Sequence, residues 1–222
     1  MRAWPGVLER ERAEMTDLDR VLSYLLVPSQ VTHHGASCCV SAKSWIRAFD
    51  RSAARSDGGW RPPTWIRQRY EWGPLRWPVS WCQIVDGDVL DCGALAGLAT
   101  EVFRMRGDSA SQIQLALRYP AAVMAGWQSM WETAGTPADW ISGRLCYHEA
   151  TVVVQDGQAH IWDPTDTQWL EPGAASSGSF GRVVALKPSE NAASLNGAIQ
   201  WGTTELPVGG WTVVNGASLV RD

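Results

Sequence analysis

Apolar residues recur at helical spacing in four parts of the chain. Residues 7–27 place them among charged neighbours, and Pro28 ends that pattern. Residues 37–50 repeat the pattern over a shorter length. Residues 92–106 follow it again, and residues 120–133 follow it after a proline, which suits the first turn of a helix. The sequence therefore predicts four helices over these ranges.

The second half of the chain contains strand patterns. Residues 111–119 alternate between apolar and polar side chains, as a half-buried strand does. Residues 145–155 and 158–162 are rich in strand-forming side chains, and Asp156-Gly157 joins them. A two-residue Asp-Gly connection favours a β-hairpin. The remaining predictions are strands at 181–187 and 210–220 and a polar loop at 173–180.

Residues 51–80 form a stretch rich in glycine and proline that also carries four tryptophans. A solvated linker would not hold so many large aromatic side chains. We therefore expect an ordered loop packed on the body of the protein, near the functional site. The four tryptophans are Trp60, Trp65, Trp72 and Trp77.

Composition excludes several classes of function. Apolar residues make up 45% and charged residues 19%, so the chain can build a core. The net charge of −4 provides no basic surface and argues against nucleic-acid binding. The charged N-terminus does not resemble a signal peptide, and no apolar run could span a bilayer. We expect a soluble cytoplasmic protein without a membrane partner. The odd count of five cysteines argues against a disulfide framework and leaves room for a working thiol.

The predicted hairpin brings a histidine and an acid together. If Asp156-Gly157 is the turn, Val153 opposes His160 and Ala150 opposes Asp163. His148 and Asp163 then share one face as a diagonal pair, within reach of each other. A carboxylate beside a histidine fixes its tautomer and stabilises the imidazolium. His160 falls on the opposite face and is interpreted as structural.

Cys92 is the candidate nucleophile because it begins a predicted helix. The positive end of a helix and a nearby imidazolium both favour thiolate. Three preceding acids act the other way unless they cap the helix or point to solvent, and the sequence leaves that balance open. They are Asp86, Asp88 and Asp91. Cys146, two residues from His148, is the rival thiol, but no helix N-terminus activates it.

Three segments together resemble transglutaminase-like enzymes. Asp91-Cys92-Gly93-Ala94-Leu95 is similar to their nucleophile helix, and Tyr147-His148-Glu149-Ala150 and Ile161-Trp162-Asp163-Pro164-Thr165 are similar to their histidine and aspartate strands. Many members have a tryptophan where this chain has Ala150. The resemblance covers about residues 80–170. It implies an α+β fold with a papain-like core, whose nucleophile helix packs on an antiparallel sheet. The length of the chain fits a single domain over residues 1–222, in which helices and the Trp-rich region of residues 1–79 precede this core.

The resemblance also implies a reaction. Cys92 would form a thioester, His148 would act as general base and then acid, and Asp163 would orient the histidine. The backbone N–H of Cys92 and one upstream donor would form the oxyanion hole, with Gln83 the first candidate and Trp81 the second. The partners would be an acyl donor, carrier-bound donors included, and an amine or water acceptor.

No cofactor is required by this chemistry, and no metal site is predicted. His33-His34 precedes Cys38-Cys39, but the spacing is not that of a zinc site. No calcium-binding loop is recognisable.

Two other functions stay open at this stage. The same three residues would serve a hydrolase, such as a cysteine peptidase, amidase or deamidase. A non-catalytic binding module is the third hypothesis. In that case Cys92 is an inert buried cysteine, His148 an ordinary strand residue and Asp163 a turn residue.

Overall fold

The computed structural model describes residues 5–24, 36–54, 62–172, 181–189, 192 and 199–214. Within these residues the chain forms six helices and eleven strands, so the predicted α+β class is confirmed. The helices are α1 (Pro5–Ser23), α2 (Ala36–Ala54), α3 (Trp65–Arg69), α4 (Trp81–Asp86), α5 (Cys92–Arg106) and α6 (Ala121–Thr133). The strands are β1 (Glu71–Trp72), β2 (Val89–Leu90), β3 (Ser109–Arg118), β4 (Ile141–Ser142), β5 (Leu145–Gln155), β6 (Gln158–Asp163), β7 (Gln168–Leu170), β8 (Arg182–Pro188), β9 (Ile199–Trp201), β10 (Thr204–Leu206) and β11 (Thr212–Val213).

One nine-stranded sheet holds the fold together. Its order is β10-β9-β6-β5-β3-β8-β11, with β4 added beside β5 and β7 beside β6. A separate parallel pair joins β1 to β2. Adjacent residues of β5 pack into two different apolar clusters, Val152 into one and Val153 into the other. Because neighbouring side chains of a strand point to opposite faces, apolar residues cover both faces of β5.

Helix α5 packs against β3 and β5, and this contact positions its N-terminus. Leu95, Leu98 and Val102 are fully buried on the helix. A polar link fixes the packing, because the Thr151 hydroxyl donates to the carbonyl of Ala96 at 3.0 Å. The helix has the predicted bounds, and Gly107 ends it with a positive φ of 97°.

The hairpin of β5 and β6 has the predicted register. Gln155 pairs with Gln158 and Val153 with His160. Asp156 and Gly157 both have positive φ, 51° and 78°, as a tight two-residue turn requires. The ladder runs only as far as Thr151 and Trp162, so the predicted pairing of Ala150 with Asp163 is wrong. On the other edge of β6, Asp163 pairs with Gln168 of β7.

Other predicted elements differ in extent. Helix α1 covers Pro5–Ser23, and residues 25–27 of the predicted helix lie outside the described residues. Helix α2 reaches Ala54 instead of stopping at residue 50. Residues 62–80 are not wholly irregular, since they hold α3 and β1. The strand expected at 210–220 is limited to Thr212–Val213 in the described part of the chain. The strands β1, β2, β4, β7, β9 and β10 and the short helices α3 and α4 were not predicted, because they contain only two to six residues.

The cysteine prediction needs one correction. Cys82 is disulfide-bonded, whereas Cys39, Cys92 and Cys146 are free. Disulfide pairing depends on which sulfur atoms the fold brings close, and a cysteine count does not contain that information.

Several predictions fall on residues outside the described ranges: the helix stop at Pro28, the loop at 173–180, and the positions of Trp60 and His33-His34. No helix within the described ranges is both long enough and apolar enough to cross a bilayer.

Candidate active site

Cys92 is the first residue of α5, and Asp91 caps that helix. The Asp91 Oδ1 atom accepts the backbone N–H of Ala94 at 2.9 Å, and its Oδ2 atom accepts the indole N–H of Trp77 at 2.5 Å. Burial raises the pKa of Asp91, and hydrogen bonds from Ala94, Trp77 and Gly93 oppose that effect. The carboxylate is therefore held by the helix end and by the Trp77 side chain.

The other two acids before Cys92 lie on the surface. Asp88 is exposed and pairs with Arg69 at 2.9 Å, and Asp86 is exposed at the end of α4. Solvent screens charges in such positions. Exposure therefore weakens the effect of Asp86 and Asp88 on Cys92, whereas the charge of Asp91, although it caps the helix, still raises the pKa of the Cys92 thiol.

His148 and Asp163 meet as a buried pair. The His148 Nε2 atom lies 3.0 Å from Asp163 Oδ2, and both side chains are almost fully buried. The second carboxylate oxygen, Oδ1, accepts the backbone N–H of Thr165 at 2.8 Å. The acid is anchored at both oxygens and cannot rotate away from the ring. Because Nε2 is used toward the carboxylate, Nδ1 of the ring is left for the thiol.

The Cys92 thiol and the His148 ring form a hydrogen-bonded pair. Burial raises the pKa of the Cys92 thiol, and the hydrogen bond to His148 and the charge of its ring oppose that rise. Burial lowers the pKa of His148, but the charge and hydrogen bond of Asp163 and the bond to Cys92 outweigh it. The pKa of His148 consequently stands well above its ordinary value. An imidazole that holds its proton is suited to stabilise a thiolate beside it.

A buried polar network lies beneath the N-terminus of α5. Glu149 is fully buried and accepts the hydroxyl of Tyr147. Gln112 donates to Glu149 at 3.0 Å and to the carbonyl of Gly93 at 3.3 Å. The network connects strand β5 to the first turn of α5, and so helps to fix the position of Cys92 relative to His148.

The two alternative side chains are less suited to chemistry. Cys146 lies on the same cavity, but burial and the charges of Cys92 and Asp163 raise its pKa well above the ordinary thiol value. His160 is exposed, and its ring packs near Trp169 at 6.2 Å between centroids. The described cavity that contains Cys92 is not lined by His160.

The predicted oxyanion-hole donors lie elsewhere. Gln83 is exposed, and its side-chain oxygen accepts the backbone N–H of Ser80 at 2.8 Å in a capping box of α4. Trp81 is buried, with the Lys43 ammonium 5.5 Å from its ring centroid. Neither residue lines the cavity that contains Cys92. The pattern Ser-x-x-Gln is itself a capping-box signature, so the sequence held a signal for this role of Gln83.

A cavity of about 310 Å³ opens beside Cys92 and His148, and one side of it is aromatic. Trp127 is central to that wall, with ring centroids 5.1 Å from Trp72, 4.7 Å from Tyr119 and 6.1 Å from Trp140. Trp131 completes it, 4.9 Å from Trp140. We call these five side chains the aromatic chamber. Three further lining residues, Arg67, Thr165 and Asp166, form what we call the polar side.

Some of the residues that line this cavity were predictable from the sequence. Trp72 and Trp77, from the Trp-rich stretch, line it as expected. Trp65 does not, because it is buried elsewhere with its indole N–H donating to Asp50 at 2.9 Å. Trp127 and Trp131 were missed as site residues. Their spacing of four on one helix was the available signal, since such residues share a helix face.

No family model matches this chain, and neither a curated protein nor a solved structure matches it. The chemical interpretation therefore depends on the arrangement of Cys92, His148 and Asp163, which we call the triad.

His148→Ala should slow alkylation of Cys92 by iodoacetamide near neutral pH. The substitution removes the hydrogen bond and the charge that lower the thiol pKa, while the burial that raises it remains. A rise of one pKa unit reduces the thiolate fraction about tenfold, so we expect at least that loss of rate. The measurement is the alkylation rate of Cys92 across pH, read by peptide mass spectrometry.

The matched control is His160→Ala, which removes an exposed histidine outside the cavity. It should leave the rate unchanged, and Cys146 should stay unlabelled. Equal, slow labelling of several cysteines in the unmodified protein would instead support a binding module.

Proposed function

We propose that this protein is a cysteine acyltransferase of the transglutaminase-like kind, with a papain-like core and the triad as its catalytic residues. The observation that carries the proposal is the contact of 3.0 Å between His148 Nε2 and Asp163 Oδ2. The same ring is hydrogen-bonded to the thiol of Cys92, which begins α5. A thiol, an imidazole and a carboxylate in series are the arrangement that nucleophilic catalysis needs.

The first step is attack of the Cys92 sulfur on the carbonyl carbon of a donor amide, ester or thioester. The S–C bond forms, His148 holds the thiol proton, and the proton passes to the leaving amine, alcohol or thiol as its bond to the carbonyl carbon breaks. The product is a thioester on Cys92. Asp163 stabilises the imidazolium throughout, since its carboxylate faces Nε2.

The developing oxyanion requires hydrogen-bond donors. Asp91 occupies the N–H groups of Gly93 and Ala94. The N–H of Cys92 is the first of the helix and has no intrahelical partner, so it can donate to the substrate oxygen. In the second step an amine attacks the thioester, gives its proton to His148 and forms an amide. The thiolate of Cys92 leaves.

Hydrolysis uses the same residues with water as the acceptor. The polar side carries charges of both signs, Arg67 and Asp166, and can form hydrogen bonds with a polar acceptor such as an amine. Product analysis with and without an added amine decides between transfer and hydrolysis.

The proposal is tested with a simple thioester donor, such as an N-acetylcysteamine thioester, with and without an added primary amine. We expect an acyl adduct on Cys92 by intact-protein mass spectrometry, and an amide product when amine is present. If acid is the sole product across a panel of amines, the protein is a hydrolase. If no adduct forms with any donor and Cys92 is unreactive toward iodoacetamide, the enzymatic proposal is wrong.

A further inference from the structure

We propose that the aromatic chamber binds the acyl group of the donor, and that this group is uncharged, ring-containing and equipped with an oxygen acceptor. This inference rests on the proposed function, because it names the substrate class of the same site. It begins with the composition of the wall. The five rings of the chamber come from four separate segments of the chain, and all of them line the cavity that contains Cys92.

The rings hold one another in a fixed arrangement. Trp127 meets Tyr119 at an interplanar angle of 70° and Trp72 at 66°, and Trp131 meets Trp140 at 61°. Edge-to-face contacts of this kind are favourable beyond the burial of apolar area. The chamber therefore offers ring faces and edges to a ligand. Flat apolar groups gain most from such a surface.

The residues that line the cavity differ in charge. None of the five chamber side chains is charged near neutral pH. The charged lining residues are Arg67 and Asp166 of the polar side, Asp91, which already caps α5, and His148 of the triad. A carboxylate or ammonium placed in the chamber would lose its water without gaining a partner, which is costly. The chamber thus selects against charged acyl groups.

The chamber contains two buried indole N–H donors that could bind an acceptor on the ligand. The indole nitrogens of Trp72 and Trp140 are buried, and neither has a hydrogen-bond partner in the described part of the chain. Trp140 is only 8% exposed. An indole N–H can only donate, and a buried donor without a partner is destabilising. An oxygen on the acyl group, beyond its reacting carbonyl, would satisfy one of them after a small rotation of the ring.

The chamber fits the acyl group better than it fits the acceptor. The attacking amine must give a proton to His148, whose ring is paired with Asp163. Thr165 and Asp166 follow Asp163 within three residues and line the cavity, so polar groups lie on the route that a polar amine would take. The apolar acyl group is left with the chamber.

A panel of N-acetylcysteamine thioesters tests the inference. We expect 4-methoxyphenylacetyl to acylate Cys92 faster than acetyl or succinyl. Trp127→Ala should reduce kcat/KM for the aromatic donor about tenfold or more, because it removes apolar contact with that group alone. The loss with the acetyl donor should be smaller, so that the preference for the aromatic donor over acetyl falls in this variant. Trp127 is only partly buried and is therefore a tolerant position for this change. If Trp127→Ala does not fold, Trp127→Phe replaces it, with a smaller loss expected.

Trp45→Ala is the matched control. Trp45 is also a partly buried tryptophan on a helix with a ring contact, 5.1 Å from Phe49, but it does not line the cavity. It should leave donor preference unchanged. The inference is overturned if acetyl or succinyl donors equal the aromatic donor, or if both tryptophan variants lose the same activity.

Binding separates this inference from the proposed function. In Cys92→Ala protein, 4-methoxyphenylacetamide should bind, and Trp127→Phe in that background should weaken binding, as measured by calorimetry. If this binding is observed although no donor acylates Cys92, the proposed function is wrong, but the assignment of the chamber as a binding site for an aromatic group is retained. If the amide does not bind, the chamber assignment is wrong whatever the activity.

Discussion

Cys92→Ser is expected to abolish acyl-enzyme formation and turnover while leaving the fold intact. A serine hydroxyl ionises far less readily than a thiol, and the His148 ring that lowers the pKa of the Cys92 thiol would have to activate a much weaker acid. Loss of a nucleophile in a triad costs on the order of 10⁶-fold in kcat. The measurements are the adduct by intact-protein mass spectrometry and the rate of product formation with the best thioester donor.

Folding should be unaffected because the change is small and its position is permissive. Cys92 is partly exposed at the first turn of α5, and serine suits a helix N-terminus. Cys146→Ala is the control, since it removes the other thiol on the cavity. Turnover should persist there, with a similar melting temperature. If the Cys92→Ser protein is active, or if the Cys146→Ala protein is folded but inactive, the assignment of Cys92 as the nucleophile is wrong.

The geometry around Cys92 was predictable where short-range rules decide it. Asp156-Gly157 selects one turn, the turn sets the register, and the register places His148 and Asp163 on one face. Cys92 at a helix start follows from apolar periodicity after Asp91, a common capping residue. The predicted contact of His148 with Asp163 is accordingly present, although the ladder between their strands is shorter than expected.

Features that depend on distant segments were not predictable. The parallel pairing of Glu71–Trp72 with Val89–Leu90 involves strands of two residues, which carry no periodic signal. The aromatic chamber needs α6, β1 and residues 119 and 140 to converge, and no local rule brings them together. The sequence indicates that Trp127 and Trp131 share a helix face, but it does not indicate that this face borders Cys92. Gln83 shows the strength of a local signal, because its Ser-x-x-Gln pattern indicates the capping box that it forms at α4.

Asp163→Asn is expected to reduce kcat by about 10⁴-fold, as the corresponding change does in a serine-protease triad. The native carboxylate accepts two hydrogen bonds, one from His148 Nε2 and one from the Thr165 N–H. An amide has one oxygen and one NH₂ group, so it can satisfy only one of these donors. If the NH₂ group faces the ring, Nε2 must be unprotonated and Nδ1 carries the proton, which prevents His148 from taking the proton of Cys92. If the oxygen faces the ring, the NH₂ group opposes the Thr165 N–H and the side chain loses its anchor.

The same substitution should change how stability depends on pH. Asp163 raises the pKa of His148 in the folded protein above the ordinary value of 6.5. A raised histidine pKa contributes stability that is fully present below the unfolded-state pKa and is lost as pH rises through the folded-state pKa. The free energy of unfolding should therefore fall more on Asp163→Asn substitution near pH 6 than at a pH above the folded-state pKa of His148. Denaturant unfolding at the two pH values measures the difference.

Asp156→Asn is the matched control for both measurements. It makes the same chemical change on the same hairpin, at an exposed turn residue with a φ of 51° that asparagine adopts readily. Neither kcat nor the pH dependence of stability should change there. If Asp163→Asn retained near-full activity, the carboxylate would not orient His148 during the reaction. The histidine would then have to be held by packing alone, and the assignment of Asp163 as the third member of the triad would be wrong. A loss of activity without the expected pH dependence would leave Asp163 as an anchor of the turn at Thr165, because that anchor does not depend on the charge and the hydrogen bond through which Asp163 raises the pKa of His148.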